Sequence, residues 1–219
     1  MDSAIISWSG GKDSALALYY LLLEKEYEVK TLLTTISADY NRISIHGVRR
    51  KLLEKQSQSI GIPVHIISLP KDVSNDEYEE IMRNEMIKSK SQQVKNVAFG
   101  DVFLEDIRGY RESNLSKIGM NAIFPLWGIH SKVLAKKFID LGFRAIITCV
   151  DSTVLEYSFV GQFFNDEFLS SIPSNVDPCG ENGEFHTFVF DGPIFSYPIQ
   201  FEKGEVVFRD ERFYFIDLQ

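Results

Sequence analysis

The sequence predicts an α/β protein: an open, doubly wound, mostly parallel sheet followed by a small C-terminal α+β part. Three observations carry that expectation. Short apolar runs of strand length alternate with helix-like runs as far as Asp151. The first apolar run ends in a glycine pair, with an Ala/Leu-rich helix beginning at once. Beyond Asp151 the chain changes to turn-rich and alternating stretches.

The strand candidates are 4–9, 29–36, 64–69, 97–100, 122–125 and 145–150. They are nearly continuous in apolar residues, as a strand buried on both faces requires. Helix candidates lie between them at 14–24, 45–60, 75–90, 105–118 and 131–141, with Gly61-Ile62-Pro63 and Gly142 as stops. The expected division is therefore 1–151 and 152–219. In the second part, 153–172 is mixed and Phe-rich, and 173–183 is dense in turn residues. Alternating strands follow at 185–190, 199–201, 206–208 and 213–216, with a turn at Glu202-Lys203-Gly204-Glu205. Repeated strand–helix units place ligands beyond the carboxyl ends of the strands. Asp151, ending the last expected parallel strand, would face that same cleft.

Ser9-Gly10-Gly11-Lys12-Asp13-Ser14 sits at such an end. A strand–glycine turn–helix gathers backbone N–H groups around one concavity at the positive end of a helix dipole, which suits a phosphate. Gly10 and Gly11 let the backbone approach an anion closely. Lys12 supplies a point charge, and the Ser9 and Ser14 hydroxyls can donate. Asp13 repels phosphate, so it either caps the helix or holds a metal against the phosphates. The Walker spacing is absent. The loop looks instead like that of the N-type ATP pyrophosphatases, which cleave ATP between the α and β phosphates.

Bulk properties narrow the partners. With 23 basic against 31 acidic residues, net −8 and no basic tract, non-specific binding to nucleic acid or an anionic membrane is disfavoured. Cys149 and Cys179 are too few for a disulfide framework and form no Cys-x-x-Cys pair. No signal-peptide pattern precedes the first strand, and no apolar stretch nears membrane-spanning length. A cytoplasmic protein is expected.

Further groups of chemical interest fall at strand ends. Gly100-Asp101 closes the run at 97–100, where Asp101 could hold Mg²⁺ or a substrate amine, or cap the next helix. Arg111 lies at the centre of a stripe formed by Leu104, Ile107, Leu115 and Ile118, so it needs an acidic partner from elsewhere or a phosphate. His46, following Arg42 and Ser44, opens the second helix beside the cradle. It is a ligand contact or a half-exposed helix-terminal residue. Asp177-Pro178-Cys179-Gly180-Glu181-Asn182-Gly183-Glu184-Phe185-His186-Thr187 crowds a thiol, carboxylates, an amide and an imidazole into one turn-rich segment. Its readings are ammonia or amine capture by Glu181 and Glu184, general base work by His186, metal binding, or an Ω-loop closing the sheet edge. For zinc it offers one Cys and one His, too few. Cys149 packs as a small hydrophobe, and Phe124-Pro125-Leu126-Trp127 reads as aromatic core packing.

Together these residues carry a resemblance. The whole chain resembles the diphthine–ammonia ligase family of ATP pyrophosphatases in its short form. The matches are the loop at 9–14, His46-Gly47-Val48-Arg49, the segment from Gly100 to Glu112, Phe124-Pro125-Leu126-Trp127, and the segment at 177–187 running on to Asp191-Gly192-Pro193. The resemblance implies a five-stranded HUP-type sheet, with 1–151 as the ATP pyrophosphatase (PP-loop) domain and 152–219 on the acceptor side. It implies that ATP adenylates the carboxylate of diphthine on elongation factor 2, or of a small acid, and that ammonia displaces AMP. ATP would meet Ser9, Gly10, Gly11, Lys12, Asp13, Ser14, His46, Gly100 and Arg111, with Mg²⁺ on Asp13 and Asp101. Lys12, Asp101, Glu181, Glu184 and His186 would be catalytic. Glu105, Arg108, Cys179 and Asn182 would border the acceptor. No membrane or nucleic-acid partner is implied, and a homodimer is admissible. Gln162 stands where relatives often carry Arg. Two rivals remain: sulfur transfer to tRNA, which uses the same loop but needs a cysteine pair and a basic surface, and a nucleotide-sensing module without chemistry.

Overall fold

The computed structural model describes residues 1–43 and 46–219. The helix start read at Ile45, and Ser44 before it, lie outside the described residues. The first part runs β1 (Asp2–Ser7), α1 (Lys12–Glu24), β2 (Tyr27–Ser37), β3 (Arg42–Ile43), α2 (Arg50–Ile60) and β4 (Val64–Leu69). It continues with α3 (Asn75–Ser91), β5 (Asn96–Ala98), α4 (Glu105–Ser116) and β6 (Asn121–Ile123). Five strands pair in parallel in the order β4-β2-β1-β5-β6, and the short β3 adds antiparallel to the end of β2. The parallel α/β fold is as the sequence predicted.

β1 is the centre of this sheet, so its side chains enter both layers alternately. Ile6 joins a core with Trp8, Leu18 of α1 and Leu53 of α2. Ile5 points to the other face, where Val97, Met86 of α3 and Leu115 of α4 enclose it. β1 has no polar face, because helices cover both sides.

The second part comprises α5 (Ser131–Asp140), β7 (Arg144–Asp151), α6 (Asp166–Ser171), β8 (Phe185–Asp191), β9 (Lys203–Arg209) and β10 (Phe213–Leu218). Its strands form an antiparallel sheet in the order β8-β7-β10-β9. The core of Ile6 and Trp8 runs on without a break into Phe138, Phe164, Phe168, Phe185 and Phe188. Among the described residues, no helix is long and apolar enough to cross a membrane.

Three expectations are corrected. The run at 145–150 is not a parallel strand. It lies inside β7, between β8 and β10, and its continuous apolar character comes from burial on both faces of an antiparallel sheet. Asp151 accordingly leaves the cleft and pairs with Arg212 across its own sheet, Oδ2 accepting from Nε at 2.8 Å. His46 does not open α2, which starts at Arg50 with Arg49 as N-cap. A turn intervenes, in which Gly47 adopts φ +67° and its N–H donates to the Ile43 carbonyl. Finally, residues 199–201 are not a strand, and the expected turn at 202–205 lies partly within β9. The hairpin reverses instead through the three residues between the paired Arg209 and Phe213, of which Asp210 and Glu211 are left-handed (φ 52° and 51°).

An ion cluster ties the two sheets together away from the core. Asp217 of β10 accepts from Arg42 at 2.7 Å and from Arg49 Nε at 2.9 Å. The Arg49 hydrogen bonds chiefly, and those of Arg42, hold its carboxyl down at about 2 against the upward push of burial. A carboxyl with a depressed native pKa stabilises the fold above its unfolded value and loses that contribution as pH falls through the native one. We expect Asp217→Asn to cost about 2 kcal/mol at pH 7, with the difference vanishing between about pH 4 and pH 2, as followed by urea unfolding across that range.

Candidate active site

β1 delivers the chain to the cradle, and β8 shapes it from behind. Gly10 turns at φ +73°, and a Cβ there would lie 2.8 Å from Gln56 Oε1. The Gly10 carbonyl accepts from Gln56 Nε2 at 3.0 Å and from the Val189 amide of β8 at 2.9 Å. Gln56 is completely buried and uses its whole amide: Oε1 accepts from the Trp8 indole at 2.9 Å, and Nε2 also donates to the Val189 carbonyl at 2.7 Å. Gly11 is the N-cap of α1, with no side-chain cap. Ser9 Oγ stands 3.2 Å from Ser14 Oγ and accepts from the Gly11 amide. The Ser14 N–H finds no acceptor among the described residues, so the helix keeps an open donor at its positive end.

Lys12 does not point freely into the cradle. Its side chain is buried, and Nζ donates to Asp13 Oδ2 at 2.8 Å and to the Cys179 carbonyl, while its backbone N–H donates to Thr187 Oγ1 at 3.0 Å. Burial pulls the ammonium down, but the Asp13 charge and hydrogen bond outweigh it and hold Lys12 above its ordinary value. Burial pushes Asp13 up in turn, only partly offset by Lys12. Asp13 thus neutralises Lys12; it does not cap α1.

Gly100 packs against the first turn of α1, where a Cβ would lie 2.9 Å from the Asp13 carbonyl carbon. Asp101 follows and takes Arg111 of α4 as a two-point partner, Nε to Oδ2 at 2.8 Å and Nη2 to Oδ1 at 3.2 Å. The acidic partner that the Arg111 stripe position required is Asp101, and Asp101 does not cap α4, whose N-cap is Leu104. Oδ2 and Nε face each other without hydrogen-bond alignment, so a buried carboxylate oxygen keeps acceptor capacity. Among the described residues, no three His, Cys, Asp or Glu side chains gather as a metal site. Asp13 and Asp101, whose charges both act on Glu181, are the carboxylates of this edge that could ligate a hard cation.

The segment at 177–187 closes over this edge. Glu181 Oε1 accepts from the Val102 amide, one residue past Asp101, at 2.7 Å. Burial, with the charges of Asp13 and Asp101, lifts Glu181 to about 7 despite that hydrogen bond. Glu184 is spent internally: its oxygens accept from the Asp177 amide, the Asn182 amide and Asn182 Nδ2, each at 2.9–3.0 Å. Glu184 and Asn182 therefore hold the segment in shape around Glu181. Cys179 Sγ donates to the Ser131 carbonyl at 3.3 Å, and burial pushes its thiol up to about 12; Cys149, inside β7, is raised to about 12 by burial as well. Neither is a poised nucleophile.

His46 and His186 meet with ring centroids 4.6 Å apart, and His46 Nδ1 lies 3.2 Å from the Thr187 carbonyl, to which it donates as Nδ1–H. Burial holds His46 at about 4; burial first, then His46 and Lys12, keeps His186 well below its ordinary value. Both rings are neutral at pH 7. Glu105 lies exposed in the first turn of α4 and Arg108 one turn on. Gln162 donates to the Ser158 carbonyl at 2.8 Å. A cavity of about 960 Å³ opens beside the loop, lined among others by Ser9, Trp8, Thr34, His46, Phe99 and Arg111. That volume suits a nucleotide-sized ligand.

Sequence reasoning missed Gln56, Thr187 and Val102 as parts of this site. Gln56 left a signal: it falls on the buried face of α2 with Leu52, Leu53 and Ile60, where an amide has to be satisfied. Val102 acts through its backbone amide, and Thr187, although inside the segment read at 177–187, acts through a hydroxyl contact to the Lys12 amide that its place there does not announce.

Two family models cover almost the whole chain: the diphthamide synthase N-terminal domain over residues 1–122 and the diphthamide synthase C-terminal domain over 130–218. The chain belongs to the diphthamide synthase family. The mouse diphthine–ammonia ligase (Mus musculus) is 21% identical over 222 residues, covering 91% of this chain and 82% of that protein. The bovine and human diphthine–ammonia ligases (Bos taurus, Homo sapiens) are 26% and 25% identical over 138 residues, spanning 60% of this chain and about half of theirs. Among solved structures, a U34-tRNA thiolase from Methanococcus maripaludis aligns with a TM-score of 0.38 at 20% identity, over 64% of this chain and 57% of that one.

Two outcomes test the geometry of this site. Gln56→Leu strands the Trp8 indole and the Val189 carbonyl, and we expect a loss of about 2–3 kcal/mol by urea unfolding. Glu181 has a native pKa above its unfolded value, so its ionisation costs stability as pH rises from the ordinary glutamate range to about 7. Glu181→Gln should therefore gain stability over the parent at pH 8, with little difference at pH 4.5. Equal stabilities at both pH values would show Glu181 to be ordinarily solvated.

Proposed function

We propose that this protein is an ATP-dependent amide ligase, which adenylates a carboxylate with release of pyrophosphate and converts it to the amide with ammonia. The acceptor suggested by the relatives' names is diphthine, on elongation factor 2 by the family resemblance. The observation that carries this reading is the junction of three features: a glycine loop with an open helix terminus, a nucleotide-sized cavity beside it, and Glu181, bonded to the Val102 amide and close enough to the loop to feel the charges of Lys12 and Asp13.

The triphosphate would lie against the amides of 10–14 and the Ser9 and Ser14 hydroxyls, with adenosine in the cavity. Lys12 has to leave the Cys179 carbonyl to reach a phosphate oxygen, so nucleotide entry also loosens the acceptor segment. Mg²⁺ on Asp13 and Asp101, when bound, would neutralise charge on the departing pyrophosphate. The acceptor carboxylate attacks the α-phosphorus and pyrophosphate leaves. Ammonia then attacks the acyl carbon and expels AMP, and Glu181 takes the proton released by the nitrogen. With its carboxyl at about 7, Glu181 exchanges a proton near neutrality, while His46 and His186 stay neutral and serve as uncharged walls. Glu184 positions Glu181 through the segment it holds together.

Incubation with ATP, ammonium and a panel of carboxylic acids, followed by assay of AMP and pyrophosphate, tests the scheme. AMP and pyrophosphate in equal amounts, dependent on an acid, are expected. ADP and phosphate would exclude adenylation; tight nucleotide binding with no pyrophosphate from any acid would favour a sensing module. The rate should fall as pH drops below about 7, as Glu181 becomes protonated, and Glu181→Gln should abolish that dependence.

A further inference from the structure

α4 carries two arginines three residues apart, and the structure treats them differently. Arg111 rests 4.2 Å from the Phe99 ring, and Phe99 stacks on Phe124 at 5.6 Å. Arg108 lies against the next rings, 5.2 Å from Phe124 and 4.6 Å from Trp127, which meet edge-on at 63°. Arginine and aromatic groups thus form one ladder, running outward along the carboxyl edge of the parallel sheet. Arg111 is held within it by an acid from another part of the fold, Asp101, through Nη2 donating to Oδ1 at 3.2 Å and a 2.8 Å approach of Nε to Oδ2 that lacks hydrogen-bond alignment. Arg108 has no such partner among the described residues. Its Nε donates to Glu112 at 2.8 Å, an exposed pair one helical turn away, and its Nη groups donate to nothing among the described residues. Exposed pairs of that kind contribute little and exchange readily.

A guanidinium steadied by aromatic rings, with its fork open, is a preorganised receptor for a carboxylate. Its position agrees. The Phe124–Trp127 segment hangs from the loop after β5 by the Gly128 amide, which donates to the Val102 carbonyl at 2.9 Å. Val102 is also the residue whose amide holds Glu181. One residue therefore links the Arg108 corner to the carboxyl group proposed to take the proton.

We propose that Arg108, held on Phe124 and Trp127, receives the carboxylate of the acceptor, while Arg111 is retained by Asp101 as part of the frame. This rests on the ligase reading for the identity of the anion, but not for the existence of the site. A phosphate of the nucleotide is the competing source of an anion, and the two are separable.

The test has a binding arm and a turnover arm. Trp127 reports the corner by its fluorescence, and because Trp8, the other tryptophan, lines the nucleotide cavity, the titration is run in the Trp8→Phe variant as well, where the response should persist. Titration with succinate, at ionic strength held constant with sodium chloride, should give a saturable change in emission. Succinamide should give none, and Arg108→Ala should remove the succinate response. Arg108→Lys should retain a response weakened by about tenfold, since it keeps charge without the fork. An unaltered response in Arg108→Ala would overturn the proposal. In turnover with an accepted acid, Arg108→Ala should raise the KM for the acid by about tenfold or more and leave the KM for ATP within about twofold. A raised KM for ATP with the acid unaffected would assign Arg108 to the nucleotide and overturn the proposal. The binding arm needs no turnover, so it tests Arg108 even if no acid yields AMP, an outcome that would sink the ligase reading alone.

Discussion

The carbonyl of Gly10 is the point on which the structure turns. It receives one hydrogen bond from Gln56 of α2 and another from the backbone of β8, so two elements far apart in sequence fix one peptide of the glycine loop. A loop with φ > 0 gives up conformational freedom that a free chain would keep. Here that order is imposed by groups that would themselves be buried and unpaired if the loop moved. Thr187 adds a second fixing point at the Lys12 amide, and the Lys12 ammonium reaches back to Cys179. The glycine loop is therefore fixed from both sheets, although its residues are contiguous in the first.

Electrostatics at this edge follow from burial more than from net charge. Lys12 and Asp13 neutralise each other, as do Arg111 and Asp101. Glu181 pairs with no basic side chain among the described residues, and burial lifts its carboxyl to about 7. The imidazoles of His46 and His186 go the opposite way for the same cause, since a desolvated cation is as costly as a desolvated anion. Burial thus moves Glu181 up to about 7 and the two imidazoles down, away from it.

Much of the fold was legible because parallel strands covered on both faces leave unmistakable apolar runs, and because Gly61 and Gly142 mark helix ends. The glycine loop was legible for the same local reason. What failed was non-local. The run at 145–150 looks like a sixth parallel strand, and only its partners, β8 and β10, show otherwise. His46 seemed to begin a helix, but Phe215 from the far end of the chain packs where a side chain at Gly47 would lie, and the turn there delays α2 to Arg50. At 177–187 the residue types announced chemistry. The sequence could not divide them into Glu181, which faces outward to Val102, and Glu184, which turns inward to its own segment. The position of Arg111 calls for a partner, and Asp101 stands out at a strand end; that each answers the other is decided by three-dimensional packing.

The back of the glycine loop leans on β8, and this bears on dissection of the molecule. A break in the linker between the two family segments, after residue 122 and before 130, would leave the first fragment with its glycine-loop peptide unbraced and Gln56 short of one acceptor. The second fragment would carry a phenylalanine-rich face with nothing to lie against. Neither piece is a self-sufficient module, and swapping one half between distant homologues would have to carry Gln56, Thr187 and Val189 across together.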